Sequence, residues 1–263
     1  MKPLLATALA SFAAGAALAS ILAAAADIAA GERRSGYDFM SSDTRAMQDD
    51  EAANPGMLAV LDGEALWQRG EGAAGKTCAG CHGDARVSMK GVAARYPALD
   101  RALGQPIDLE QRIDRCRTEH QQVAPLPFES GELLALTAYV AHQSKGQPIA
   151  VADDPQTRPF INTGREIFER RQGQLNLSCA QCHEGNWGRR LGGAPIPQAH
   201  PTGYPIYRLE WQRLGSLRRR FRNCLVGMRA ESYLDDAPEI VALELYLAWR
   251  ASGLTMETPA VRP

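Results

Sequence analysis

Six cysteines and five histidines carry much of this chain's capacity for chemistry, and four of the cysteines fall into two matching arrangements. Cys78-Ala79-Gly80-Cys81-His82 and Cys179-Ala180-Gln181-Cys182-His183 each set two thiols three residues apart with a histidine directly after. Thiols at that spacing reach the two vinyl groups on one edge of a porphyrin, and the adjoining imidazole swings beneath the iron as its proximal ligand. A lone C-x-x-C also serves as a redox dithiol. Two copies, each followed by histidine, read instead as two covalent haem c attachment sites, with His82 and His183 as proximal ligands.

Cys116 and Cys224 remain. Two spare thiols in an oxidising compartment ordinarily read as a disulfide. The competing role is the distal position on iron, where methionine favours a higher potential and a thiolate pushes electron density onto the metal and lowers it. Methionine occurs at 1, 40, 47, 57, 89, 228 and 256, so the first half has none in the distal position, Met89 lying only seven residues past His82. Cysteine recurs there in both halves. His120 and Met228 each follow the spare cysteine by four residues and so share its helix face. They keep a His/His first haem and a His/Met second haem open, as a Cys116–Cys224 disulfide also stays open. The recurrence favours cysteine as distal ligand in both halves.

The elements that must position these groups come in two copies. A shift of 101 residues lays Gly63-Glu64-Ala65-Leu66-Trp67 over Gly164-Arg165-Glu166-Ile167-Phe168 and superposes the two attachment motifs. A shift of 108 sets Arg112-Ile113-Asp114-Arg115-Cys116 on Arg220-Phe221-Arg222-Asn223-Cys224, and one of 107 sets Tyr139 on Tyr246. Each copy predicts an amphipathic helix starting near Gly63 or Gly164, the attachment motif, a Gly/Pro-containing loop and a basic helix bearing the spare cysteine. A closing helix follows, with Leu133, Leu136 and Val140 or Val241, Leu245 and Ala248 at helical spacing. Helix, attachment motif, loop and closing helix in that order resemble the cytochrome c fold, so the expected fold class is mainly α, two tandem cytochrome c-like domains. Residues 63–150 form the first (haem 1) and 151–263 the second (haem 2), the Pro-rich stretch 147–160 linking them. Each unit is small enough that haem supplies much of its buried apolar surface, so haem-free protein is expected to fold poorly.

Lys2 followed by the uncharged run Leu4 to Ala26 reads as a cleaved secretory signal over residues 1–26, with an irregular arm over 27–62. The mature protein is then exported to the periplasm, with no stable membrane insertion after cleavage. A net charge of −1 and a pI near 6.5 argue against nucleic acid as a partner, so any anion site must be local. Basic residues gather around Cys224: Arg213, Arg218, Arg219, Arg220, Arg222 and Arg229, with Arg250 on the closing helix. Most of such a run is solvated helix face. Arg220, four residues before Cys224, shares its face; a guanidinium there lowers the thiol pKa and offers forked donors to a small oxyanion.

The chain resembles the SoxA family, di-haem cytochrome subunits of bacterial thiosulfate oxidation. The resemblance is carried by both attachment motifs, both extra cysteines, Arg220-Phe221-Arg222-Asn223-Cys224-Leu225-Val226-Gly227-Met228-Arg229-Ala230-Glu231 and Ala242-Leu243-Glu244-Leu245-Tyr246-Leu247-Ala248-Trp249-Arg250. It implies an L-cysteine S-thiosulfotransferase, pairing with a SoxX-like small cytochrome c. The two together oxidatively couple thiosulfate to a cysteine of a SoxYZ-like carrier and pass two electrons to haem. It further implies that Cys224 is the catalytic distal ligand, modified to a persulfide opposite His183, and that Arg220 binds substrate, with Arg250 a looser second assignment. Some family members lack the first haem site; Cys78, Cys81 and His82 are intact here, so two haem c groups are expected. The reading from a different class is a non-catalytic periplasmic electron-transfer cytochrome.

Overall fold

The computed structural model describes residues 28–263; the signal peptide read from residues 1–26 lies outside them. Among the described residues no helix is long and apolar enough to cross a membrane.

Among the described residues ten α-helices form the frame: α1 (Ser42–Asp49), α2 (Met57–Gln68), α3 (Cys78–His82), α4 (Ala85–Ser88), α5 (Leu109–Cys116), α6 (Gly131–His142), α7 (Arg158–Glu169), α8 (Cys179–His183), α9 (Leu217–Gly227) and α10 (Pro238–Arg250). In each half the helix before the attachment motif crosses the closing helix, α2 on α6 and α7 on α10. The crossings explain Gly63 and Gly164. A Cβ at Gly63 would run into the Ala135 carbonyl, and one at Gly164 into the Ala242 carbonyl, so only glycine admits this approach. These glycines were expected to start their helices. They lie instead in the middle, because close packing rather than chain reversal selects them.

Local sequence sets the other helix starts. Ser130 caps α6 by accepting from Leu133 N–H, and Pro238 opens α10, where a missing N–H costs nothing. The one-turn helices α3 and α8 are capped by Thr77 and Ser178, which accept from the N–H of Gly80 and Gln181. Asp108 and Ser216 likewise cap α5 and α9, the helices bearing the spare cysteines. Each of those helices is preceded by a short antiparallel hairpin. In the first half β1 (Ala98–Asp100) pairs with β2 (Gln105–Ile107), Asp100 opposite Gln105. In the second, a minor hairpin of β3 (Arg190–Leu191) and β4 (Ala194–Pro195) comes first. Then β5 (Ile206–Arg208) pairs with β6 (Arg213–Gly215), Arg208 opposite Arg213, and the C-terminal β7 (Val261–Arg262) adds to β5 in parallel.

The halves share their interior. Ala93, Ala141 and Ile149 of the first half and Ile161, Phe168 and Leu245 of the second belong to one buried cluster. The linking stretch is pinned rather than loose, Ile149 N–H donating to Leu254 O (2.9 Å) and Ala150 N–H to Ala94 O (2.8 Å). Polar contacts also cross between the halves: Arg218 of α9 pairs with Asp108 and lies 3.5 Å from Glu244, all three side chains buried. The arm, expected to be irregular, contains α1, since Ser41 supplies an N-cap by accepting from Thr44 N–H. It is tied to the second half and the C-terminal tail: His200 Nδ1 bonds Arg34 O (2.7 Å) and Asn54 Nδ2 donates to Pro259 O (2.9 Å).

Candidate haem sites and the distal cysteines

In the second half, α8 holds Cys179, Cys182 and His183 on a single capped turn. The His183 ring Nδ1 lies 2.6 Å from Pro197 O, a carbonyl in the loop that follows. An Nδ1–H donating there selects the tautomer whose Nε2 lone pair is free, the form that ligates a metal. Burial pushes the His183 pKa down to about 4; the Pro197 bond opposes this, and the charges of Arg220 and Arg250 add to it. The ring is therefore neutral at neutral pH. Burial also holds the Cys179 thiol up, at about 12. A neutral imidazole with one free nitrogen, beside two thiols on one turn, fits a covalently attached haem. In the first half α3 repeats the arrangement with more exposure, His82 resting on Trp67 at 5.6 Å between ring centroids.

Among the described residues none of the six cysteines is joined to another. Cys116, at the end of α5, is half-buried and feels the charge of Cys81, while Cys78 feels that of Cys116. Cys224, on α9, is half-buried and is the electrostatic neighbour of both Cys179 and Cys182. Each spare thiol thus faces the attachment pair of its own half, and the two are not brought together. The backbone separates Cys116 from its rival, whereas Met228 stays one turn past Cys224, its N–H donating to Cys224 O (3.0 Å). After Cys116 the chain passes into a π-helical turn, Arg117–Gln121, which breaks the four-residue register and leaves His120 exposed. Met228 is buried beyond the end of α9, its carbonyl accepting from Leu175 N–H (3.4 Å).

The arginines of α9 divide by partner. Arg218 is buried with Asp108 and Glu244; Arg219 lies 3.5 Å from Glu129 and 4.4 Å over the Trp211 ring; Arg222 pairs with Asp235. Arg220 is the member of this run with no carboxylate partner among the described residues, and its charge bears on His183 and on Tyr204, which also feels Cys224. Arg250 is differently placed. It is 3% exposed, 3.1 Å from the buried Glu184 carboxylate, and covers the Phe168 ring at 4.5 Å. Its charge is committed to Glu184 beside His183.

Three neighbours of this site do not emerge from the motifs: the Pro197 carbonyl, Tyr204 and Arg208. Tyr204 is half-buried, and desolvation raises its hydroxyl pKa to about 12. Arg208, half-buried on β5, feels the charge of Arg220. The signal that finds the last two is the 108-residue shift run further back, which lays Tyr96-Pro97 on Tyr204-Pro205 and Asp100 on Arg208.

The arrangement has counterparts in known proteins. The family model of the SoxA/TsdA cytochrome c domain matches residues 62–149 and again 163–256, and this domain carries covalently bound haem c. The L-cysteine S-thiosulfotransferase subunit SoxA of Pseudaminobacter salicylatoxidans is 42% identical over 88% of this chain and 81% of its own length. The subunit of the same name from Rhodovulum sulfidophilum is 39% identical over 88% and 80%. The crystal structure of SoxXA from P. pantotrophus superposes with a TM-score of 0.85 at 32% identity, covering 88% of this chain and 87% of that one. With the domain matched in both halves and relatives alike over most of their length, the chain belongs to the SoxA family.

Proposed function

We propose that the chain is the catalytic subunit of an L-cysteine S-thiosulfotransferase, working with a SoxX-like small cytochrome c and acting on thiosulfate and a cysteine of a SoxYZ-like carrier protein. The enzyme name borne by its relatives and the SoxXA crystal structure support this reading. The reaction joins the carrier thiolate to the terminal sulfur of thiosulfate. One sulfur–sulfur bond forms, a cysteine S-thiosulfonate results and two electrons leave. Haem c, when bound, supplies the one-electron acceptors.

The chain's own residues take these parts. Cys78 and Cys81, with His82, would hold one haem and Cys179 and Cys182, with His183, a second, and Cys116 and Cys224 would be the further iron ligands of their own halves. Cys224, as thiolate or persulfide, is the catalytic sulfur, polarisable and able to exchange with an attacking thiolate. Arg220 holds the sulfonate end. Arg250, locked to Glu184, contributes positive field next to His183 rather than a free fork. The observation that carries the reading is the pairing of a half-buried Cys224, facing Cys179 and Cys182, with an arginine one turn earlier that no carboxylate neutralises. The mature protein acts in the periplasm, divided into the arm 27–62 and haem domains 63–150 and 151–263.

The test uses the haem-loaded complex with carrier, thiosulfate and an electron acceptor. Mass spectrometry of the carrier should show its cysteine heavier by one thiosulfate, and the mass of the subunit should include two haems. A carrier left unmodified while both haems reduce and reoxidise would leave the electron-transfer reading in its place.

A further inference from the structure

The two halves carry the same framework around their distal cysteines and differ in charge at several equivalent positions, of which Asp100 and Arg208 stand nearest in role. On the 108-residue shift β1 and β2 correspond to β5 and β6 residue for residue: Ala98 faces Ile107 as Ile206 faces Gly215, and Asp100 faces Gln105 as Arg208 faces Arg213. The Tyr96–Pro97 and Tyr204–Pro205 bonds are both cis. Asp108 and Ser216 cap the helices that follow, and Arg112 and Arg220 each stand four residues before the distal cysteine.

In the first half this framework is closed on itself. Asp100, 4% exposed, accepts from Arg112 Nη2 at 2.8 Å and lies 3.5 Å from Arg115 Nε, while Arg112 Nε donates to the Tyr96 hydroxyl at 3.3 Å. The carboxylate occupies the guanidinium that would otherwise be open to an anion. In the second half an arginine stands in its place. Arg208 Nε is buried without a hydrogen-bond partner, and the Arg208 side chain is only 15% exposed. Its Nη2 meets Glu210 at 2.8 Å, but that carboxylate is 64% exposed, where an ion pair counts for little. Burial and the neighbouring Arg220 both weigh against the Arg208 charge. Two half-buried guanidiniums that feel each other's charge are unfavourable unless an anion offsets them, and two forks match the oxygens of a tetrahedral sulfonate.

We propose that Arg208 is a specificity-determining residue which, with Arg220, clamps the sulfonate end of thiosulfate beside Cys224, and that the aspartate-to-arginine exchange confines anion binding to the second half. The chemistry recognised is an oxyanion. A haem carboxylate offers the same oxygens, and the experiment separates the two sources. The inference rests on the thiosulfate reading above.

The measurements are KM and kcat for thiosulfate, together with the midpoint potential and ferric spectrum of the second haem, on the complete haem-loaded complex. Arg208→Gln should raise KM at least about tenfold, the loss of one charge-assisted contact, with kcat less affected and the potential and spectrum unchanged. Arg208→Lys, a charge without the fork, should recover part of that loss. Arg208→Asp should pair with Arg220 as Asp100 does with Arg112 and raise KM further. An unchanged KM in Arg208→Gln overturns the inference. So does a shifted haem potential in that variant, which would assign Arg208 to a haem carboxylate. Wild-type protein that fails to turn over thiosulfate would instead remove the functional reading on which the clamp depends.

Discussion

The first and second halves are built on one plan and diverge where charge meets the spare cysteine. Around Cys116 the carboxylates match the cations: Arg112 and Arg115 reach Asp100, and Arg115 also holds Glu119 at 2.5 Å. Around Cys224 the arginine nearest in helical phase has no carboxylate partner among the described residues, and its charge bears on a second arginine, Arg208. The proximal sides differ too, since His183 is locked to the Pro197 carbonyl while His82 is exposed against Trp67. Duplication has kept the scaffold that holds a haem, namely the helix crossing, the capped attachment turn and the cysteine helix. Function separates by exchanging single charges at equivalent positions, which leaves the packing of the scaffold intact.

The sharpest break in that comparison is Cys224→Ala against Cys116→Ala. The first should lower carrier thiosulfonation by more than about a hundredfold, with both haems still attached by mass. The second should leave most of the turnover, measured in the same assay. Equal losses in the two variants would make the halves functionally alike.

Next in size is the join between them. Asp108 and Ser216 cap equivalent helices, yet only Asp108 also receives a buried arginine from the other half. Asp108→Ala removes both the cap and that partner, leaving buried Arg218 with Glu244 as its one nearby carboxylate among the described residues, at a cost of about 3–5 kcal/mol in denaturant unfolding. Ser216→Ala loses a cap alone, about 1 kcal/mol. Gly63→Ala and Gly164→Ala test the shared plan. Each forces a methyl group into the facing helix backbone and should destabilise by about 1–3 kcal/mol, to a similar degree in both halves, read by thermal melting.

The remaining effect concerns pH. His200 occupies the place of Val92 on the 108-residue shift and bonds the arm through Arg34 O. Burial lowers its pKa from 6.5 to about 4, the Arg34 bond opposing this and nearby cations adding to it. The unfolded chain therefore takes up a proton that the folded one refuses. This contribution to stability is present above pH 6.5 and is lost as pH falls through about 4. His200→Gln should flatten that part of the acid-unfolding curve, and Val92→Gln should leave its pH dependence unchanged.

Much of this was legible in the residues themselves. The attachment motifs, the duplicated order of elements and the common setting of Cys116 and Cys224 follow from spacing, because covalent haem attachment is local in sequence and a repeat is visible as a shift. The helix starts were misjudged, since a glycine that admits a neighbouring backbone looks the same in one dimension as a glycine that begins a turn. The arginine run is similar. Nothing in Arg218-Arg219-Arg220-Phe221-Arg222 says which guanidinium is buried, stacked, paired or open, for the partners Asp108, Trp211, Asp235 and Glu244 come from four other stretches of chain. Residue type and order thus determined that this chain carries two copies of one attachment unit, each with a cysteine to spare. Only the tertiary structure decided which of those cysteines stands beside uncompensated positive charge, because the neutralising groups reach the site by packing across the fold and not by proximity along the chain.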